Sequence, residues 1–238
     1  MSEFPSVGTL FHLVEDQQPT RIRGDEPGIR SVERALRLVT VIAEASNGIG
    51  LADASRAVGL APSTATRILR TLEATGFAAR RDDGMYAAGT ELIRLGARHT
   101  AESPLIAAAQ THLDNLARST GESCYLAIPI DDEWATYVRM AQSTHAVRHV
   151  SWLGRRIPRA SSAVGAALAG QVTDAGVAMV VNGVEPGTTA VALPLRERGA
   201  IVAVINVVGP SFRMTAATRR AIIQATRVAG RALESAVG

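Results

Sequence analysis

Residues 59–77 read GLAPSTATRILRTLEATGF, and this stretch decides the fold. Gly59 stops whatever precedes it, and Pro62 is a favoured first helical residue because its missing N–H is not needed there. From Pro62 the pattern runs as a helix to Thr75, and Gly76 stands where a left-handed cap closes it. Ala65, Ile68, Leu69 and Leu72 recur at i, i+3, i+4 and i+7, so they share one inward face. Ser63, Thr64, Arg67 and Arg70 are left on the other side.

Working outward, Val32, Ala35, Leu36, Val39, Ile42 and Ala43 recur at three- and four-residue steps and predict an amphipathic helix with Ser31 as its N-cap. Asn47-Gly48 and Gly50 end it. A second short helix is expected from Ala52 to Val58, with Asp53 near its positive end. Two helices joined by a short glycine-containing turn, the second rich in Ser, Thr and Arg, form the helix-turn-helix pattern. After it come Phe77–Arg81, the turn Asp82-Asp83-Gly84 and Met85–Ala87, a hairpin signal. Residues 29–89 are therefore expected to form a winged helix-turn-helix. A recognition helix presents its N-terminal residues to base edges in the major groove. Ser63 and Thr64 stand at that end, Arg67 is one turn on, and Arg70 falls nearer the backbone. Arg80 and Arg81 stand on the wing, where phosphates would lie. Between residues 30 and 81 there are eight arginines and four carboxylates, an excess of +4 against +3 for the whole chain. That is the footprint of a phosphate binder.

The flanks are plainer. Residues 1–28, with Pro5, Pro19, Gly24 and Pro27, read as a disordered tail with an ambiguous short element over Val7–Val14. Residues 90–118 read as helix, broken at Ser103-Pro104; the part over 90–102 is a linker helix, and 103–238 a second domain. There, strands are expected over Cys124–Ile130, Thr136–Met140, Ala146–Trp152, Ala190–Leu195 and Ala200–Val208. A small-residue helix is expected over Ser161–Gly170 and a final helix over Thr215–Val237, with Ile222, Ile223, Thr226, Ala229, Gly230 and Leu233 on one side. The fold class is α+β.

Composition narrows the setting. The 238 residues are 47% hydrophobic but only 4% aromatic, so the core must be aliphatic. All 25 basic residues are arginine, so any phosphate contact is made by a guanidinium fork. The lone Cys124 excludes an intramolecular disulfide, which fits a reducing cytoplasm. No signal peptide and no membrane span are read.

Weaker signals point nowhere firm. His145 and His149 would share a face if their segment were a strand, which makes a metal site conceivable, but no carboxylate or second cysteine supports it; a half-exposed polar face is the plainer reading. Arg155, Arg156 and Arg159 suggest either an anion clamp or structural ion pairs. Ser161-Ser162 lacks the G-x-S-x-G setting of a nucleophile, and Asp131-Asp132-Glu133 reads as a solvated turn. No catalytic residue, metal ligand or cofactor is assigned.

The run from Ser31 to Gly96 resembles the N-terminal domain of the IclR (isocitrate lyase regulator) family of bacterial transcription factors. Its most specific stretch, GL..ST..R.L.TLE..GF, stands at Gly59–Phe77, and the Y..G that ends the wing stands at Tyr86 and Gly89. The second half is similar more loosely, through Gly121-Glu122, GRRIPRASSAVGAALAG, EPGTTAVALP and NVVGPSFRMT. The resemblance implies a GAF-like effector domain, a homodimer or dimer of dimers on a pseudo-palindromic operator in double-stranded DNA, and effector-binding positions at Ser162, Ala163, Glu185 and Asn206. Three departures stand out. Ala166 replaces a family lysine, Asn206 and Val208 replace serines, and only 14 residues separate Gly170 from Glu185. The expected function is a dimeric DNA-binding regulator controlled by, or freed from, a small effector. The competing expectation is a ligand-sensing or scaffolding protein that does not act through DNA.

Overall fold

The computed structural model describes residues 28–149 and 151–237. The tail expected over 1–28, with its element at Val7–Val14, lies outside the described residues apart from Gly28. The chain divides into two compact units at Ala97/Arg98.

The first unit holds α1 (Arg30–Glu44), α2 (Leu51–Ala57), α3 (Pro62–Ala74), β1 (Ala78–Arg80), β2 (Tyr86–Ala88) and the start of α4 (Thr90–Glu102). Its core joins Leu38 and Ile42 of α1, Ala54 of α2, Leu69 and Leu72 of α3, and Ala78 and Tyr86 of the hairpin. The inward face of α1 is rotated from the sequence reading. Leu38 and Ile42 are its buried residues, whereas Val32 and Leu36 are exposed. The apolar stripe is broad enough to contain two faces, and contact with α3 selects the one centred on Leu38. Ser31 is not the N-cap either: the helix begins at Arg30, with Ile29 in the cap position and no side-chain cap.

The wing is pinned on both sides. Ile49 and Tyr86 exchange two backbone hydrogen bonds of 2.8 Å, adding a third strand-like edge to the hairpin. At its far end, Gly89 N–H donates to the Phe77 carbonyl and Glu91 N–H to the Gly76 carbonyl, both at 3.0 Å. A Cβ on Gly89 would stand 2.0 Å from the Gly76 oxygen, so only glycine permits this approach.

The second unit holds α5 (Pro104–Thr120), β3 (Ser123–Pro129), β4 (Trp134–Ala141), β5 (Arg156–Pro158), α6 (Ala163–Leu168), β6 (Ala178–Val181), β7 (Thr188–Glu197), β8 (Ala200–Pro210) and α7 (Ala216–Val237). The strands form one antiparallel sheet in the order β5-β4-β3-β8-β7-β6. Because strand side chains alternate, each strand serves both faces. Cys124, Leu126, Ile205 and Val207 pack with Leu113 of α5 and Ile222 and Leu233 of α7. Tyr125, Ala127, Val204 and Val208 turn to the opposite face, against Ala163, Val164 and Ala167 of α6. Both faces are covered, which is why β3 reads as an almost unbroken buried run.

Two sequence expectations fail here. The strand expected over Ala146–Trp152 does not form in the described residues of that segment; the edge of β4 is taken by β5 further along the chain. Ser143 spends its hydrogen bonds locally, donating from Oγ to the Gly121 carbonyl and from N to Ser123 Oγ. Conversely, β6 was not expected, and it fills part of the short interval after Gly170. Among the described residues, no helix is long and apolar enough to cross a membrane.

Candidate nucleic-acid interface and effector cleft

On α3 the division of faces is sharp. Ala65, Leu69 and Leu72 are buried, and Ile68 packs partly against the same core. Ser63, Arg67 and Arg70 are exposed and Thr64 is half-buried. Thr66 and Thr71 turn their hydroxyls back to the Pro62 and Arg67 carbonyls, at 2.8 and 3.2 Å, so they contribute little outward. The unspent polar groups of the helix are the ones nearest its first turn and along the Arg67–Arg70 edge.

The two wing arginines differ. Arg80 lies over the Tyr86 ring, 5.9 Å from its centroid. Arg81 donates to the Asn47 carbonyl at 3.0 Å and pairs with Asp83 at 3.1 Å. It therefore braces the turn of the wing against the end of α1, with less freedom to meet an outside phosphate than Arg67 or Arg70.

In the second unit, a cleft of about 40 Å³ opens on the α6 face of the sheet. All four positions implied by the family resemblance line it: Ser162, Ala163, Glu185 and Asn206. Ser162 reaches it as the N-cap of α6, where its Oγ accepts from Gly165 N–H at 3.0 Å. Asn206 reaches it from β8, in the alternate set that faces away from α5 and α7. Its Nδ2 donates to the Tyr137 hydroxyl, whereas its Oδ1 is buried with no hydrogen-bond partner, in a residue 1% exposed.

Sequence reading missed Tyr137, His149 and Trp152, which also line the cleft. His149 Nδ1 lies 2.7 Å from the Tyr125 hydroxyl, and Nε2 lies 2.9 Å from Glu185 Oε2, a buried oxygen that no hydrogen bond satisfies. His149 is buried, whereas His145 is exposed beside Gly121, so the shared face on which a metal site depended does not exist. Tyr125 and Tyr137 stack at 4.2 Å between centroids. Burial pushes both phenols well above their ordinary range. The anion clamp of Arg155, Arg156 and Arg159 does not face the cleft. Arg156 lies over Trp134, and Arg159 donates to the Asp131 carbonyl at 2.7 Å. The Asp131 side chain itself accepts from Glu133 and Trp134 N–H at 2.8 Å, closing a local turn.

Comparison with known proteins follows the same division. The glycerol operon regulatory protein of Streptomyces coelicolor is 36% identical over 141 residues, which are 59% of this chain and 55% of that protein. An IclR transcriptional regulator from Alicyclobacillus acidocaldarius superposes with a TM-score of 0.77 at 20% identity, over 89% of this chain and all of that one. An IclR homologue from Microbacterium hydrocarbonoxydans, crystallised with 4-hydroxybenzoate, gives a TM-score of 0.73 at 20% identity, over 87% and 98% of the two chains. These structural likenesses establish the fold. The matched stretch spans little more than half the length of the Streptomyces relative. The IclR helix-turn-helix domain matches residues 31–82 and the bacterial transcriptional regulator IclR C-terminal region matches residues 97–175, so the chain belongs to the IclR family.

Proposed function

We propose that this chain is a sequence-specific DNA-binding transcriptional regulator of the cytoplasm, not an enzyme, which acts as a homodimer or dimer of dimers under control of a small molecule. The observation that carries the reading is the division of α3: its apolar residues are spent on the core, and Ser63, Arg67 and Arg70 face outward with half-buried Thr64 beside them. Inserted in the major groove, Ser63 and Thr64 meet base or phosphate atoms, Arg67 meets a guanine edge or a phosphate, and Arg70 meets the backbone. Arg80 adds a phosphate contact from the wing, and Arg81 holds the wing in place. Two copies related by a two-fold axis read the half-sites of a pseudo-palindrome.

The second unit supplies the control. Ser162, Ala163, Glu185 and Asn206 surround a cleft with unspent polar groups, as a small-molecule site requires. The neighbour crystallised with 4-hydroxybenzoate shares this fold and holds a small molecule. A ligand acts on DNA affinity only through a difference in its own affinity for the two arrangements of the protein.

The test is selection of duplexes from a random library with the purified chain, followed by anisotropy titration of the selected site across a salt series. A regulator binds the selected site well above bulk sequence, with an affinity that falls steeply with salt. Equal, weak binding to every duplex would overturn the reading.

A further inference from the structure

Asn206 and Tyr137 form a pair with hydrogen-bonding capacity left over on both sides. As placed, Asn206 Nδ2 donates to the phenol oxygen, which leaves the amide oxygen an open acceptor and the phenol's own proton an open donor. With the amide turned over, the phenol donates to Oδ1 and the NH₂ group becomes the open donor, beside an unused phenol lone pair. Either way, one donor and one acceptor are left unmet in the wall of the cleft, which both residues line. A hydroxyl satisfies both at once, displacing a water that does the same; a carboxylate only accepts, and an ammonium only donates. Leaving the pair unmet inside a buried wall is costly, so its natural complement is a ligand hydroxyl.

The remaining walls sharpen this. Glu185 contributes a carboxylate, and its neighbour His149 lies 2.9 Å from it through Nε2. Among the described residues no arginine lines the cleft, so an organic anion would meet a like charge with no guanidinium to offset it. The Ser162 oxygen accepts from Gly165, which leaves its own proton to donate. Trp152 offers an apolar aromatic surface to C–H groups. The space of about 40 Å³ corresponds to roughly three water-sized volumes.

We propose that this cleft binds a small uncharged polyol, of roughly two or three carbons, through hydroxyl contacts to Asn206 and Tyr137. The proposal rests on the regulatory reading above, and it names the class of effector that reading leaves open.

Titration calorimetry on the full chain tests it, with ethylene glycol, glycerol and erythritol set against acetate, pyruvate and ethanolamine. Concentrations stay below the range in which polyols act as excluded osmolytes. At least one polyol is expected to bind saturably, and the acids and the amine not to bind. Tyr137→Phe, which keeps the ring and its stacking, should weaken polyol binding roughly three- to tenfold. Asn206→Leu should abolish it, with a cooperative melt as the check on folding. Saturable binding of an acid or the amine in place of the polyols would overturn the proposal. So would silence from all six compounds, or polyol binding indifferent to Tyr137→Phe. Anisotropy on the selected duplex separates the two readings: polyol binding with unchanged DNA affinity supports the ligand class and counts against its regulatory role.

Discussion

Arg213 and Glu122 meet fork to fork: Nε and Nη2 of the guanidinium each donate to one carboxylate oxygen at 2.8 Å. The carboxylate is 3% exposed and the guanidinium 20%, so the acid is the dependent partner. A Cβ on Gly209 would stand 2.6 Å from that carboxylate, and no side chain there could replace the arginine. Arg213→Ala strands a buried charge and is expected to cost about 2–4 kcal/mol. Replacing both residues with apolar ones of similar size should recover most of it. Urea unfolding of the two variants checks this, and a loss below about 0.5 kcal/mol in Arg213→Ala would show the pair to be ornamental.

Alkaline stability should be set largely by the second unit. Burial drives the Cys124 thiol from its ordinary 9.0 up to about 12, and the Tyr125 and Tyr137 phenols also rise. Above the ordinary thiol value the unfolded chain gives up protons that the native chain keeps. Stability is therefore intact below pH 9 and declines between about 9 and 12. Melting temperature followed from pH 7.5 upward should show the decline begin near that lower bound, and Cys124→Ala should delay it to the range where the two phenols act. Native Cys124 should also resist alkylation at pH 8 and react freely in denaturant; rapid labelling of folded protein would contradict its burial.

Arg67 and Arg81 should separate cleanly by variant. Arg67→Ala removes an outward side chain from α3, so it should weaken operator binding by roughly 1–3 kcal/mol with no change in melting temperature. Arg81→Ala releases the Asn47 and Asp83 contacts at a half-exposed site. It should cost less than about 1 kcal/mol of stability and a smaller share of DNA affinity. Unchanged binding by Arg67→Ala would mean that α3 is not the reading element.

Self-association is the fourth expectation. α4 has no buried residue among its 13, yet it carries Ile93 at 68% exposure and Leu95 at 41%. With Leu92 these offer an apolar patch through which two copies are expected to meet. Light scattering at micromolar concentration should report at least a dimer, and Ile93→Glu with Leu95→Glu should shift it toward monomer. A monomeric wild-type chain would overturn this.

The parts legible in the sequence were those governed by local rules. Pro62, Gly76 and the Asp83-Gly84 turn announce their elements through backbone chemistry, and the four-residue steps of α3 assign its faces without help. Ser162, Glu185 and Asn206 were reachable through motif resemblance, and the structure brings them to one cleft. What escaped depended on partners distant in sequence. His149 looked like half of a strand face; its burial follows from Tyr125 and Glu185, which lie 24 residues before and 36 after it. Val32 and Leu36 continued a plausible stripe, and only the position of α3 shows that Leu38 lies at its centre. Strand β6 is too short to carry a period of its own; pairing with β7 makes it a strand.

The seam between Gly76 and Gly89 has a mechanical consequence. It fastens the first turn of α4 to the end of α3 through backbone contacts alone, so side-chain rearrangement cannot slacken it. α3 is 13 residues long, a rigid arm of about 20 Å with its pivot at Gly76 and Ser63 at its tip. Turning α4 by roughly 10° would carry that tip about 3.5 Å, close to the roughly 3.4 Å rise between neighbouring base pairs. Because Leu69 and Leu72 seat α3 in the core with α1 and α2, those helices would have to turn with it, and the end of α3 that carries Ser63 would shift by about one step of the duplex.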